Sequence, residues 1–162
     1  MGKEMKGRIV IGIDPGNNGG IAVYSPVYER VVDLIKMPPT PQELFNTLSE
    51  YTTDQYDGDI VCYLEKVGGM PGQGGSAMFN FGKGFGYLEM ALIALKIPTV
   101  TITPAVWQKP LQLGTSKGMT KTQWKNKLKA KAEQLFPYIS KVTLWSADAL
   151  LICEYGRIRE RE

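Results

Sequence analysis

Apolar residues fall in two rhythms along this chain. A β-branched run at 8–14 (RIVIGID) meets the turn Pro15-Gly16-Asn17-Asn18-Gly19-Gly20, and similar runs follow at 20–24 (GIAVY) and 30–37 (RVVDLIKM). Short β-branched runs between glycine, proline and asparagine predict strands, and three in quick succession predict an antiparallel meander. Pro38-Pro39 stops the third, and Thr40 caps a helix over about 41–51 with Pro41 at its first position and Leu44, Leu48 and Tyr51 on one face. Two further strands are predicted at 59–67 (DIVCYLEKV) and 98–103. Helical spacing governs the rest. A helix at 78–96 lines Phe81, Phe85, Leu88, Leu92 and Leu95 on one side and leaves Gly82 and Gly86 as a bare patch. Another at 121–135 carries Trp124, Leu128, Ala132 and Leu135, and a last one runs from 146 to about 157. The order βββ-α-β-α-β-α-α predicts an α/β domain, a five-stranded mixed sheet flanked by helices.

Composition narrows the chemistry. The 162 residues suit a single domain over 1–162, with no repeat or long linker to divide it. No stretch approaches the roughly 18 apolar residues of a membrane span, and the N-terminus lacks an export signal, so a cytoplasmic, non-secreted protein is expected. Cys62 and Cys153 sit in apolar runs and read as reduced core residues. There is no histidine, which removes histidine zinc sites, Ser-His-Asp triads and imidazole acid–base catalysis. Hydrolytic chemistry must then lean on carboxylates and a hard metal ion. Charge is uneven: 101–142 holds eight lysines against Glu133 alone, a local +7 within a whole-chain +3. That asymmetry points to a polyanion such as nucleic acid, or to a solvated lysine-rich helix.

Three carboxylates stand out. Asp14 ends the first strand at a Pro-Gly turn, Glu65 closes the run IVCYL, and Asp148 lies in the first turn of the last helix on the face of Leu151, Ile152 and Tyr155. Singly, each has an ordinary reading: a turn-former, a strand-end acid at solvent, and an acid complementing a helix dipole. Together at one sheet edge they would repel unless a divalent cation sat among them. Oxygen-only ligands favour Mg²⁺ or Mn²⁺, and two ions about 3.5–4 Å apart would stabilise the attacking water and the leaving oxygen of a phosphodiester displacement.

IGIDPGNNGGIAVY, YLEKV and SADALLICEYGR, in this order, resemble the three motifs of the RuvC family of Holliday-junction resolvases. The stretches from GGMPGQGGS to KIP and TPAVWQKPLQL are similar to its phage-borne and organellar branch. The resemblance implies an RNase H-like fold and a metal-dependent crossover junction endodeoxyribonuclease making paired symmetric nicks. It implies Asp14, Glu65 and Asp148 as catalytic metal ligands for two Mg²⁺ or Mn²⁺ ions, four-way or branched DNA as substrate, and a homodimer through the helix at 77–96. The loop after Glu65 would approach the branch point, with Met70 and Phe79 as wedges and Phe81 read as core. Gln73 and its neighbouring glycines would lie near a phosphate. Lys109, Lys117, Lys121 and Lys125 would contact phosphates, with Lys121 nearest the scissile one. The family has a fourth acid, or a histidine, one turn before the last aspartate; Leu144 and Trp145 stand there instead, with Glu89 and Glu154 as substitutes. Three other readings compete: another RNase H-like nuclease, a catalytically weak junction-binding protein, and an actin-like kinase with a phosphate-cradling first turn.

Overall fold

The computed structural model describes residues 7–53, 59–68 and 73–162. Its sheet contains β1 (Ile9–Asp14), β2 (Gly20–Ser25), β3 (Arg30–Lys36), β4 (Ile60–Glu65) and β5 (Thr99–Ile102), in the order β3-β2-β1-β4-β5. The first three form the predicted meander, and β4 and β5 run parallel to β1. The helices are α1 (Pro41–Ser49), α2 (Gly75–Ala94), α3 (Pro104–Gln108), α4 (Lys121–Leu135) and α5 (Leu144–Arg159). The mixed five-stranded sheet flanked by helices is as expected.

Alternation along the strands builds two cores. Ile9, Ile11 and Ile13 of β1, with Cys62 and Leu64 of β4, pack under α1 and α2. Val10, Val61 and Tyr63 point the other way, toward α3, α4 and α5. Leu44, Leu48 and Tyr51 are buried as their spacing requires, and both cysteines are buried and unpaired.

Helix α5 lies directly on the middle of the sheet because Gly12 permits it. A methyl there would overlap the Cys153 backbone nitrogen and sit 2.7 Å from the Ala149 carbonyl oxygen. Gly20 does the same for the start of α5, where the Trp145 ring would be 2.8 Å from an added Cβ.

Two helix starts differ from the expectation. α5 starts at Leu144 with Thr143 as its cap, and Thr143 N–H donates to Ser146 Oγ at 2.9 Å. Asp148 is therefore in the second turn, not the first, beyond the reach of the dipole argument. α2 starts at Gly75, and α3 was not expected. Leu135, assigned to the core stripe of α4, is exposed, and Phe136 is buried in its place. Among the described residues no helix is long and apolar enough to cross a membrane.

Candidate active site

Side-chain parity carries two acids to one place. Asp14 shares the face of Val10 and Gly12, and Glu65 that of Val61 and Tyr63, so both project toward α5. Ile13 pairs with Leu64 in parallel register, so the next residues, Asp14 and Glu65, stand side by side at the carboxyl ends of adjacent strands. Asp148 comes to them from α5, whose path is fixed by the contact at Gly12. Asp14 and Asp148 line a cleft of about 550 Å³, while Glu65 is only 5% exposed and does not line it.

The electrostatics confirm the proximity. Burial pushes Asp14 up to about 9, and the charges of Asp148 and Glu65 add to this. Burial also raises Glu65 to about 7, against the opposing hydrogen bond from Trp107, with Asp148 adding to the rise. Asp148 is raised to about 6 by burial and drawn back by Lys125. Asp14 and Glu65 act on each other directly: Glu65 raises Asp14 further, and Asp14 holds Glu65 down. Among the described residues no three His, Cys, Asp or Glu side chains are grouped closely enough to hold a metal ion as they stand. Burial favours the protonated acids, and Lys125 opposes this at Asp14 and Asp148.

The other expected site residues separate. Gln73 and Lys125 line the cleft. Lys125 also acts on Asp14 and Asp148, so it, and not Lys121, is the lysine at the acids. The helix turns about 100° per residue, so Lys125 stands one turn beyond Lys121. Lys117 and Lys121 are exposed outside the cleft, and Lys109 lines a second cavity. Phe79 is 67% exposed, with the Lys83 ammonium 5.5 Å from its ring centre. Phe81, expected in the core, forms cleft wall, because the apolar stripe of α2 continues past the sheet and over the Gly16 turn. Met70 lies outside the described residues.

Of the two residues in the place of a fourth acid, Leu144 lines the cleft one turn before Asp148, whereas Trp145 packs on Gly20. Glu154 is bound to Arg157 at 2.6 Å and lines the second cavity, and Glu89 is exposed; neither lines the cleft. Sequence reasoning missed Lys66 in the cleft lining and the buried donor Trp107, while Asn17 and Asn18, which also line the cleft, entered only as the phosphate cradle of the kinase reading. Proline at the first position of α3 was the available signal for the last.

Solved structures give the architecture a context. RuvC of T. thermophilus in complex with a Holliday junction substrate matches with a TM-score of 0.63 at 15% identity, over 95% of each chain. The chain has the RuvC fold. A second Thermus thermophilus RuvC structure matches at 0.58 and 16% identity, over 94% of this chain and 97% of that one. The yeast mitochondrial Holliday junction resolvase Ydc2 matches at 0.51 and 14%, over 96% and 79%. No protein-family model and no curated protein matches the sequence. At these identities the RuvC likeness is one of backbone, so function rests on what this chain's own side chains do.

Proposed function

We propose that this chain, acting as one RuvC-like nuclease domain over residues 1–162, is a structure-selective endonuclease that hydrolyses phosphodiesters in four-way or branched DNA. The observation that carries the reading is the meeting of Asp14, Glu65 and Asp148 in a RuvC fold, with Asp14, Asp148 and Lys125 opening onto a cleft and Glu65 buried behind them. The choice of DNA draws on the neighbours, one captured with a Holliday junction substrate and one named a Holliday junction resolvase. Its motifs resemble those of the phage-borne and organellar branch, and the reading that goes with them is a cytoplasmic protein, in the host cell if phage-encoded.

The donor set fits a hard divalent cation: three buried carboxylates, with Asp148 raising the pKa of both others, and no imidazole or thiolate. Asp14, Glu65 and Asp148 would hold Mg²⁺ or Mn²⁺, two per site. The bound metal would activate water and neutralise charge on the phosphate. The protein's own part begins with protons: burial raises the pKa of all three acids, and they must be ionised before they can take a cation. Lys125 favours the ionised acids and offers a phosphate contact. Gln73 and the turn at Gly16 border the DNA path, and Phe79 is exposed where an apolar wedge at unstacked bases is useful. Lys109, Lys117 and Lys121 supply charge farther from the acids.

A homodimer fits the surface. Met90 and Ile93 lie at helical spacing on α2, 60% and 69% exposed, and Gly82 and Gly86 open the same region. A two-fold pair would present two acid clusters to strands of like polarity, the arrangement that paired nicks require.

Two substitutions separate the roles. Lys125→Ala is expected to lower cleavage by at least about tenfold, since an electrostatic contact of this kind carries on the order of 1.4 kcal/mol or more. Its pH–rate profile should move upward, because the lysine lowers the pKa of both aspartates. Lys121→Ala should weaken the salt dependence of binding by about one ion and leave that profile in place. Leu144→Asp adds a carboxylate beside Asp148 at a half-exposed position. Calorimetry should find Mn²⁺ binding tightened by about tenfold, with little loss of fold stability. The proposal as a whole is tested by nicking of a labelled junction in Mg²⁺ or Mn²⁺ against EDTA. Nicking in EDTA, or binding without nicking in either metal, would overturn it.

A further inference from the structure

Glu65 is nearly sealed from solvent, and a sealed carboxylate depends on the groups that hydrogen-bond it. Its Oε2 accepts a 2.5 Å bond from the indole Nε1–H of Trp107, itself 1% exposed. Local chain geometry delivers that donor. β5 pairs with β4 as far as Glu65 opposite Ile102, Lys66 N–H donates to Ile102 O at 2.8 Å, and Thr103-Pro104 turns the chain into α3. Four residues after the turn begins, Trp107 points back over the end of β4. Its ring packs in the core under α4 and α5 and forms part of the wall of the second cavity, about 350 Å³.

An apolar ring would satisfy that packing without touching the acid. The indole N–H adds something packing does not require. It donates and never accepts, carries no charge, does not ionise and cannot ligate a cation. It therefore engages one oxygen of Glu65 and limits the carboxylate's rotation, leaving its other lone pairs for Asp14 and for whatever the cluster binds. Partners that orient a ligating group are worth about 10- to 100-fold in metal affinity.

We propose that Trp107 is a positioning residue: its indole N–H fixes the Glu65 carboxylate for divalent-cation binding by the acid cluster. The inference rests on the cluster reading above. Trp107→Phe keeps a ring and removes the donor. In calorimetry with Mn²⁺ and no DNA, its affinity should fall by about tenfold or more. The Mg²⁺ concentration for half-maximal junction nicking should rise in parallel, while nicking at saturating Mg²⁺ and metal-free junction binding should stay within a few-fold of wild type. Wild-type Mn²⁺ affinity in Trp107→Phe would reduce Trp107 to core filler and overturn the proposal, leaving the nuclease reading intact. A wild-type protein that neither binds Mn²⁺ nor nicks junctions would overturn both. Should Trp107→Phe fail to fold, the indole N–H resonances of the unaltered protein decide. That of Trp107, identified by eliminating Trp124 and Trp145 in turn with Trp→Phe, should shift on Mg²⁺ addition by more than that of Trp124. A Trp107 resonance unmoved at saturating Mg²⁺ overturns the proposal.

Discussion

Asp14→Asn is expected to abolish metal-dependent cleavage and, in the same protein, to raise the melting temperature of the metal-free form at pH 8. The loss should be on the order of 10³-fold, because a cluster of three acids that loses one charge binds its cation poorly and forfeits about 4 kcal/mol of transition-state stabilisation. The gain follows from proton linkage. Folded Asp14 keeps its proton up to about pH 9, whereas an unfolded aspartate releases it near pH 4. Between those values the native state holds the extra proton, so its stability is fully present below about pH 4 and is lost as pH rises toward 9. Glu65 and Asp148, raised to about 7 and about 6, add to the same slope in the lower part of that window. Asparagine is uncharged at every pH and escapes the loss. Thermal melts of both proteins in EDTA should be closest near pH 4 and separate by several degrees at pH 8, and Mg²⁺ should flatten the wild-type slope. An Asp14→Asn protein less stable than wild type at pH 8 would show that the buried acid cluster is wrongly drawn.

Gly12→Val should be the most destabilising single change outside the acids, costing about 3 kcal/mol or more in urea denaturation. The new side chain would meet the backbone of α5 at Cys153 and Ala149, and a helix backbone cannot rotate aside as a side chain can. α5 must lift from β1, and Asp148 rides on α5. Material that still folds should therefore lose cleavage more steeply than stability. Gly84→Ala gives the contrast. Nothing lies within 4 Å of its added Cβ, so alanine should stabilise α2 by roughly 0.5–1 kcal/mol. Equal stability of Gly12→Val and wild type would contradict the packing of α5 on β1.

What the sequence revealed follows the range of its signals. The meander, the Thr40 cap and the strands ending in Asp14 and Glu65 are local patterns, and alternation suffices to put both acids on one face. The start of α5 was misread because Thr143 and Ser146 are both good caps. The structure makes Ser146 the third helical residue, accepting from Thr143 N–H, while Trp145 settles on Gly20. α3 is five residues long, too short to display a period, so the indole that holds Glu65 went unseen. The lysines of α4 recur every four residues or fewer, and only the tertiary placement of that helix selects Lys125. Phe81 looked like core because it continues an apolar stripe, yet the stripe outlasts the sheet beneath it.

The most direct test is to map the nicks on a four-way junction labelled on each strand, in Mg²⁺, beside a linear duplex of the same sequence. The account predicts paired cuts, symmetric about the branch point on strands of like polarity, with the duplex left intact and no cuts by Asp14→Asn. Equal cutting of duplex and junction, or cuts that persist in Asp14→Asn, would contradict it.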